Sequence, residues 1–238
     1  MKKLLIIKTG TTFPSILKDH GDFEDFIINR IGTIPYSSYC IWSVYKHEPP
    51  PDLVDIAGII ITGSHAMVSD FEDWNVRLSD WLRENLHMAI PTLGICYGHQ
   101  LLCQALGGQV TYHPQGKEIG TVQIQQTEAG KNDPLFSVLP STFLGHVTHA
   151  QTILNLPPGA HILANNDFEE HHAFALHDTI WGVQFHPEFD AAITQAYIKE
   201  QESSLISEGY AVESIKNSVT DHSFGRLLFQ RFLEISNL

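Results

Sequence analysis

The chain has 238 residues and a mass of 26.7 kDa, enough to bury one sizeable core but not a second full domain. Its formal net charge of −13 repels a phosphate backbone and no basic run offsets it, which argues against nucleic-acid binding. Cys40, Cys96 and Cys103 are an odd, sparse set that points to a reducing compartment, and no stretch approaches the roughly 20 apolar residues of a membrane span. A soluble, cytoplasmic protein is expected. Cys96 and Cys103 would lie about 10 Å apart on one helix, too far for a disulfide.

In chain order, Leu4 to Lys8 reads as a short buried strand rather than the apolar core of a signal peptide. Ile16 to Ile31 reads as one helical region stopped at Gly32, and Tyr39 to Val44 as a second strand before the stiff Pro49-Pro50-Pro51 segment. Ala57 to Thr62 is a continuous apolar strand of the kind covered on both faces. A helix from Asp73 to His87 carries Leu78, Trp81, Leu82 and Leu86 on one side. Pro91 to Ile95 is a strand and Tyr97 to Leu106 a helix. The first half thus reads β-α-β-β-α-β-α, which predicts a mostly parallel central sheet with helices on both faces. From Gly120 the pattern changes to short alternating strands through Asp178, a small antiparallel extension. The last fifty residues are helical, with Phe224, Leu227, Leu228, Phe232 and Ile235 as an apolar stripe that should dock on the body. No linker divides the chain. One domain over 1–238 is expected, with a core over about 1–190 and a helical extension over 191–238.

Two segments carry chemistry. In Pro91-Thr92-Leu93-Gly94-Ile95-Cys96-Tyr97-Gly98-His99-Gln100, a cysteine stands between a strand and a helix, bracketed by Gly94 and Gly98. A sharp turn there needs residues without a Cβ, and it sets the thiol at a helix N-terminus, where partial positive charge favours a thiolate. The ordinary fate of such a cysteine is to be a small buried hydrophobe; the two glycines at the strand–helix switch favour a nucleophile instead. Far downstream, Ile180 to Phe189 is a strand-like run containing His186-Pro187-Glu188. In extended chain His186 and Glu188 share a face, where a carboxylate can fix the tautomer of an imidazole and stabilise its protonated form.

Together, Gly-Ile-Cys-Tyr-Gly-His-Gln and Gly-Val-Gln-Phe-His-Pro-Glu-Phe resemble the class I glutamine amidotransferases. Within that family the chain is similar to stand-alone relatives of the amidotransferase domain of GMP synthase. The resemblance spans roughly residues 40 to 190 and implies the family's flavodoxin-like α/β fold. It implies Cys96 as nucleophile, His186 as general base and Glu188 as the residue that orients it. The implied activity is glutaminase chemistry: side-chain amide to glutamate and ammonia through a γ-glutamyl thioester, the ammonia destined for a separate synthetase. Backbone N–H groups of Tyr97 and Gly63 are the expected oxyanion donors, although Gly63-Ser64-His65 stands where the family commonly has Gly-Gly-Pro. Gln100 matches the family's G-x-C-x-G-x-Q string and, with Ser64 and His149, is a candidate to bind substrate. His149 aligns with a Ser-His-Gly-Asp segment, but Ala150-Gln151 replaces Gly-Asp, which makes glutamine less secure as the natural substrate.

Other readings stand beside this one. The same triad serves a hydrolase of γ-glutamyl amides or peptides that needs no ammonia acceptor; an amidotransferase needs a partner, because the chain has no P-loop string. Fourteen histidines, among them His146, His149, His171, His172 and His177 near Glu169 and Glu170, raise a metal site, but none has a compelling ligand spacing. No metal or cofactor is expected. A non-catalytic subunit on the same fold is disfavoured by the intact Cys96, His186 and Glu188.

Overall fold

A computed structural model describes residues 2–32, 38–86 and 89–238. In chain order the elements are β1 (Lys3–Lys8), α1 (Pro14–His20), α2 (Phe23–Ile31), β2 (Tyr39–Ser43), β3 (Ile56–Ile61), α3 (Asp73–Asn85), β4 (Thr92–Ile95) and α4 (Tyr97–Ala105). There follow β5 (Gln109–Tyr112), β6 (Glu118–Gln126), α5 (Glu128–Asn132), β7 (Thr142–His149), β8 (Gln151–Asn155), β9 (His161–Asn165), β10 (Ala173–Leu176) and β11 (Ile180–Val183). Four helices close the chain: α6 (Ala191–Glu200), α7 (Glu202–Ser207), α8 (Val212–Ser218) and α9 (Phe224–Ile235).

The main sheet runs β2-β1-β3-β4-β11-β10-β9-β6-β7. Its first five strands are parallel, and from β11 onward each pairing is antiparallel. β5 and β8 form a separate two-stranded ribbon. The apolar runs explain the layering. Leu4 and Ile6 of β1 face one core with Ile27 and Ile31 of α2 and Leu228 and Phe232 of α9. Leu5 and Ile7 face the other, with Leu78 and Leu82 of α3 and Leu101 and Leu102 of α4. All four β1 side chains are fully buried, as a strand covered on both faces requires.

Two expectations are corrected in detail, and a third reaches beyond the described residues. The helical region from Ile16 to Ile31 is two helices, broken at Gly21, whose φ of 90° ends α1. Asp22 then caps α2: its carboxylate accepts from Phe23 N at 2.9 Å while Asp22 N donates to Asp25, and it also takes the Lys8 ammonium at 2.7 Å. The α3 helix ends at Asn85; the expected continuation to His87 falls outside the described residues. On α9, Leu228 and Phe232 dock as expected and Phe224 and Ile235 pack partly, but Leu227 is 37% exposed and Phe229 is buried instead. On the same helix Gly225 is buried and lies against the backbone of Pro187. A Cβ on Gly225 would overlap the Pro187 carbonyl.

That contact ties the last helix to the His186-Pro187-Glu188 turn. Gly225→Ala should therefore overpack the junction, costing about 1–3 kcal/mol and lowering Tm by roughly 2–12 °C in calorimetry. An unchanged Tm would mean that the turn can retreat without loss.

Candidate active site

Strands β3, β4 and β11 are adjacent and parallel, so their C-terminal ends open on one crevice, the usual ligand side of such a sheet. Gly63 follows β3, Cys96 follows β4, and His186 follows β11. Chain segments distant in sequence thus converge through strand order alone.

Cys96 has φ 50° and ψ −98°, a combination outside the ordinary left-handed well, at a cost of roughly 1–3 kcal/mol. The flanking bonds hold it: Cys96 N donates to Val183 O at 2.8 Å, and Gln100 N to Cys96 O at 3.1 Å. The two glycines are needed for close approach. A Cβ on Gly94 would overlap the Gly98 carbonyl, and one on Gly98 would lie 2.5 Å from the Ile61 carbonyl of β3. The thiol therefore stands at the N-terminus of α4, 7% exposed, with its sulfur 4.0 Å from Thr148 O. Tyr97 is the first residue of that helix, where N–H groups have no intrahelical acceptor.

His186 and Glu188 are joined differently from the extended pair expected. Strand β11 stops at Val183, and the two residues meet across a turn in which Phe189 N donates to His186 O at 3.3 Å. His186 Nδ1 lies 2.8 Å from Glu188 Oε1, and both side chains are buried. The ring stacks on Phe189 with centroids 4.1 Å apart, and its backbone N–H donates to His146 O at 2.8 Å. Its Nε2 is buried without an ordinary hydrogen-bond partner among the described residues. Burial alone would push the imidazole toward its neutral form. The charges of Glu188 and the Cys96 thiolate outweigh it and hold the pKa up at about 10.

On the other side of the crevice, a Cβ on Gly63 would lie 3.1 Å from His186 Cε1, so only glycine fits there comfortably. The Gly63 carbonyl accepts from Thr9 Oγ1 and Thr62 Oγ1, both at 2.9 Å, which pins the peptide. Ser64 acts as a loop staple: its hydroxyl donates to Thr9 O at 2.9 Å and accepts from Ala66 N at 3.1 Å.

A cavity of about 240 Å³ surrounds Cys96. Gln100, Ser64 and His149 all line it, together with Tyr97 and His186. Their polar atoms are largely committed to the protein. Gln100 Nε2 donates to Gln151 O and Gln184 Oε1, both at 2.9 Å. His149 Nδ1 faces Gln151 O at 3.0 Å, and its Nε2 faces Glu118 Oε2 at 3.1 Å. Of the substrate-binding candidates, Gln100 keeps its side-chain carbonyl, whereas His149 contributes wall rather than a free nitrogen. His146, His149 and His172, considered for a metal, have other partners. His172 joins His149 on Glu118 at 3.3 Å; burial would raise that carboxyl, but the two rings hold it well below the usual range. His146 instead stacks on His222 at 4.3 Å, and burial with that neighbour pushes it down to about 3. Among the described residues no group of three or more His, Cys, Asp or Glu is arranged to hold a metal.

Several wall residues were not legible beforehand. Phe13, His65 and Tyr197 form an aromatic side: His65 lies 4.2 Å from Phe13 and 5.9 Å from Tyr197 between ring centroids. Lys117 and Gln201 complete the lining. Only His65, two residues beyond Gly63, carried a positional hint.

Residues 16–202 match the sequence family described as glutamine amidotransferase class-I, and the chain belongs to that family. It is 36% identical over 189 residues to a GMP synthase [glutamine-hydrolyzing] of Thermomicrobium roseum, a match covering 76% of this chain and 32% of that protein. The chain thus spans about a third of that relative's length. A second match runs end to end: 26% identity over 241 residues with gamma-glutamyl peptidase 4 of Arabidopsis thaliana, covering 98% of this chain and 96% of the relative. The fold is that of a glutamine amidotransferase of Thermotoga maritima, with a TM-score of 0.73, 17% identity and full coverage of both chains. Among the described residues no helix is long and apolar enough to cross a membrane.

The charge on His186 can be tested directly. Its folded pKa is raised above the usual 6.5, so its contribution to stability is complete below about pH 6.5 and is lost as pH rises through about 10. In NMR titrations the His186 Cε1 proton should keep its imidazolium shift through neutrality, and Glu188→Gln should move the midpoint to lower pH. A wild-type midpoint at or below 6.5 would rule out the charged ring.

Proposed function

We propose that this chain, acting as one cytoplasmic domain, hydrolyses the γ-glutamyl C–N bond of glutamine through Cys96, His186 and Glu188. The observation that carries the reading is the 2.8 Å His186–Glu188 pair sharing one cavity with a cysteine held on a strained strand-to-helix turn. Cys96 thiolate adds to the γ-carbonyl, and the oxyanion is received by the backbone N–H groups of Tyr97 and Gly63. His186 gives its Nε2 proton to the departing nitrogen, so the C–N bond breaks, ammonia leaves and a γ-glutamyl thioester remains. The now neutral His186 takes a proton from water as the water attacks. Glutamate departs, and the thiolate–imidazolium pair is restored. Glu188 keeps Nδ1 protonated throughout, so that Nε2 is the nitrogen that exchanges protons. Ammonia from glutamine would pass to a separate synthetase subunit.

A second reading, hydrolysis of γ-glutamyl amides or peptides without an ammonia acceptor, has its own support. The end-to-end similarity is to a protein named as a gamma-glutamyl peptidase. The cavity also extends beyond Cys96 and His186 to the Phe13–His65–Tyr197 wall, room that ammonia as leaving group does not need. Both readings share every chemical step except the identity of the leaving nitrogen.

Glutamate release from glutamine and from γ-glutamyl dipeptides separates the two. Cys96→Ala should reduce release by at least about 10³-fold on whichever substrate is turned over. Equal activity in the variant would remove Cys96 as nucleophile. Turnover of dipeptides alone would select the second reading, and turnover of glutamine alone the first.

A further inference from the structure

The chain carries a net charge of −13, yet among the described residues no Asp or Glu lines the cavity around Cys96. Its lining holds a single lysine or arginine, Lys117, on the connection between β5 and β6. Lys8, Lys131 and Lys216 each pair with carboxylates, but among the described residues none lies within 4.0 Å of the Lys117 ammonium. Its Nζ donates instead to a neutral acceptor, Gln201 Oε1, at 2.8 Å. The backbone is anchored as well, Lys117 N donating to Tyr210 Oη at 2.6 Å.

Gln201 links this ammonium to the reacting centre. Its Nε2 donates to Thr148 Oγ1 at 3.1 Å, and Thr148 O lies 4.0 Å from Cys96 Sγ. Opposite, the amide protons of Gln100 and both nitrogens of His149 are already committed within the protein. A carboxylate entering a largely apolar cavity needs a charged partner. Apart from the catalytic imidazolium, the charged donor on this wall is Lys117, which has three N–H groups and spends one on Gln201.

We propose that Lys117, positioned by Gln201, is the carboxylate-binding residue of this site. The inference rests on the γ-glutamyl reading above and adds how such a substrate is recognised. Two carboxylates share the required chemistry: the α-carboxylate of the γ-glutamyl group, and that of an amino acid on the leaving side.

The test uses the full chain as wild type, Lys117→Met and Lys117→Arg. Four substrates are compared: glutamine, glutamine α-amide, γ-glutamyl-leucine and its C-terminal amide. Lys117→Met should lower kcat/KM about 10- to 100-fold, mainly through KM, for the substrate that keeps the engaged carboxylate. The loss should be far smaller on the matching amide, and Lys117→Arg should recover most of it. A loss on glutamine but not its α-amide assigns the glutamyl carboxylate; a loss on γ-glutamyl-leucine alone, absent from its amide, assigns the leaving side. An equal loss on all four substrates would show Lys117 merely propping Gln201 and would overturn the proposal, as would no loss on any. Wild-type turnover of none of the four would overturn the γ-glutamyl reading itself, and the proposal with it.

Discussion

The site depends on how closely α4 can approach the end of the parallel sheet. Cys96 occupies a backbone conformation that an L-residue adopts only under constraint, and the constraint comes from both sides. Before it, β4 is clamped between β3 and β11 with every residue buried. After it, Gly98 brings the first turn of α4 against the Ile61 carbonyl, at a separation no side chain would permit. Gly94 yields the same space from the strand side. Any bulk at either position would push the helix away, relax the turn and swing both thiol and helix N-terminus off the cavity. The local strain is small beside the burial of the apolar strands that enforce it, and so it persists.

His186 and Glu188 are held by a different part of the chain. His186 hangs from β7 through its bond to His146 O, while Gly225 of α9 packs behind Pro187. A buried carboxylate–imidazolium pair is costly to desolvate, and removal of either partner strands a charge. Cys96 and His186 line one cavity, and Glu188, bonded to His186 Nδ1, stays off its lining. The C-terminal helix α9, remote from Cys96 in sequence, thereby contributes to setting His186 in place.

Legibility in the sequence followed the range of the forces involved. The two segments that meet at the candidate site were readable because each is local: glycines at fixed offsets from Cys96, and a carboxylate two residues from His186. The parallel half of the sheet was readable because strands buried on both faces are continuous apolar runs, as in Leu4 to Ile7. Errors arose where tertiary contacts overrode local pattern. Gly21 lies in the polar segment Lys18 to Asp22 between two apolar runs that suggest one helix, yet Asp22 both caps α2 and takes the buried Lys8 ammonium. On α9, Phe229 rather than Leu227 is buried, and Gly225 meets Pro187, a contact between segments with no sequence link. Gln100 and His149 were singled out by position in a motif, but position says nothing of how far Gln151, Gln184 and Glu118 have already claimed their hydrogen bonds.

Those claims have a consequence for how the pocket works. A wall whose polar atoms are mutually bonded is rigid and presents fixed geometry, and it gives up little when a ligand excludes water. The side-chain groups of the lining with hydrogen-bonding capacity left include the Gln100 carbonyl and the Lys117 ammonium, which spends one of its three N–H groups on Gln201. The carboxylates of this acidic chain are kept off the cavity lining, or, as with Glu188 and Glu118, placed behind a histidine.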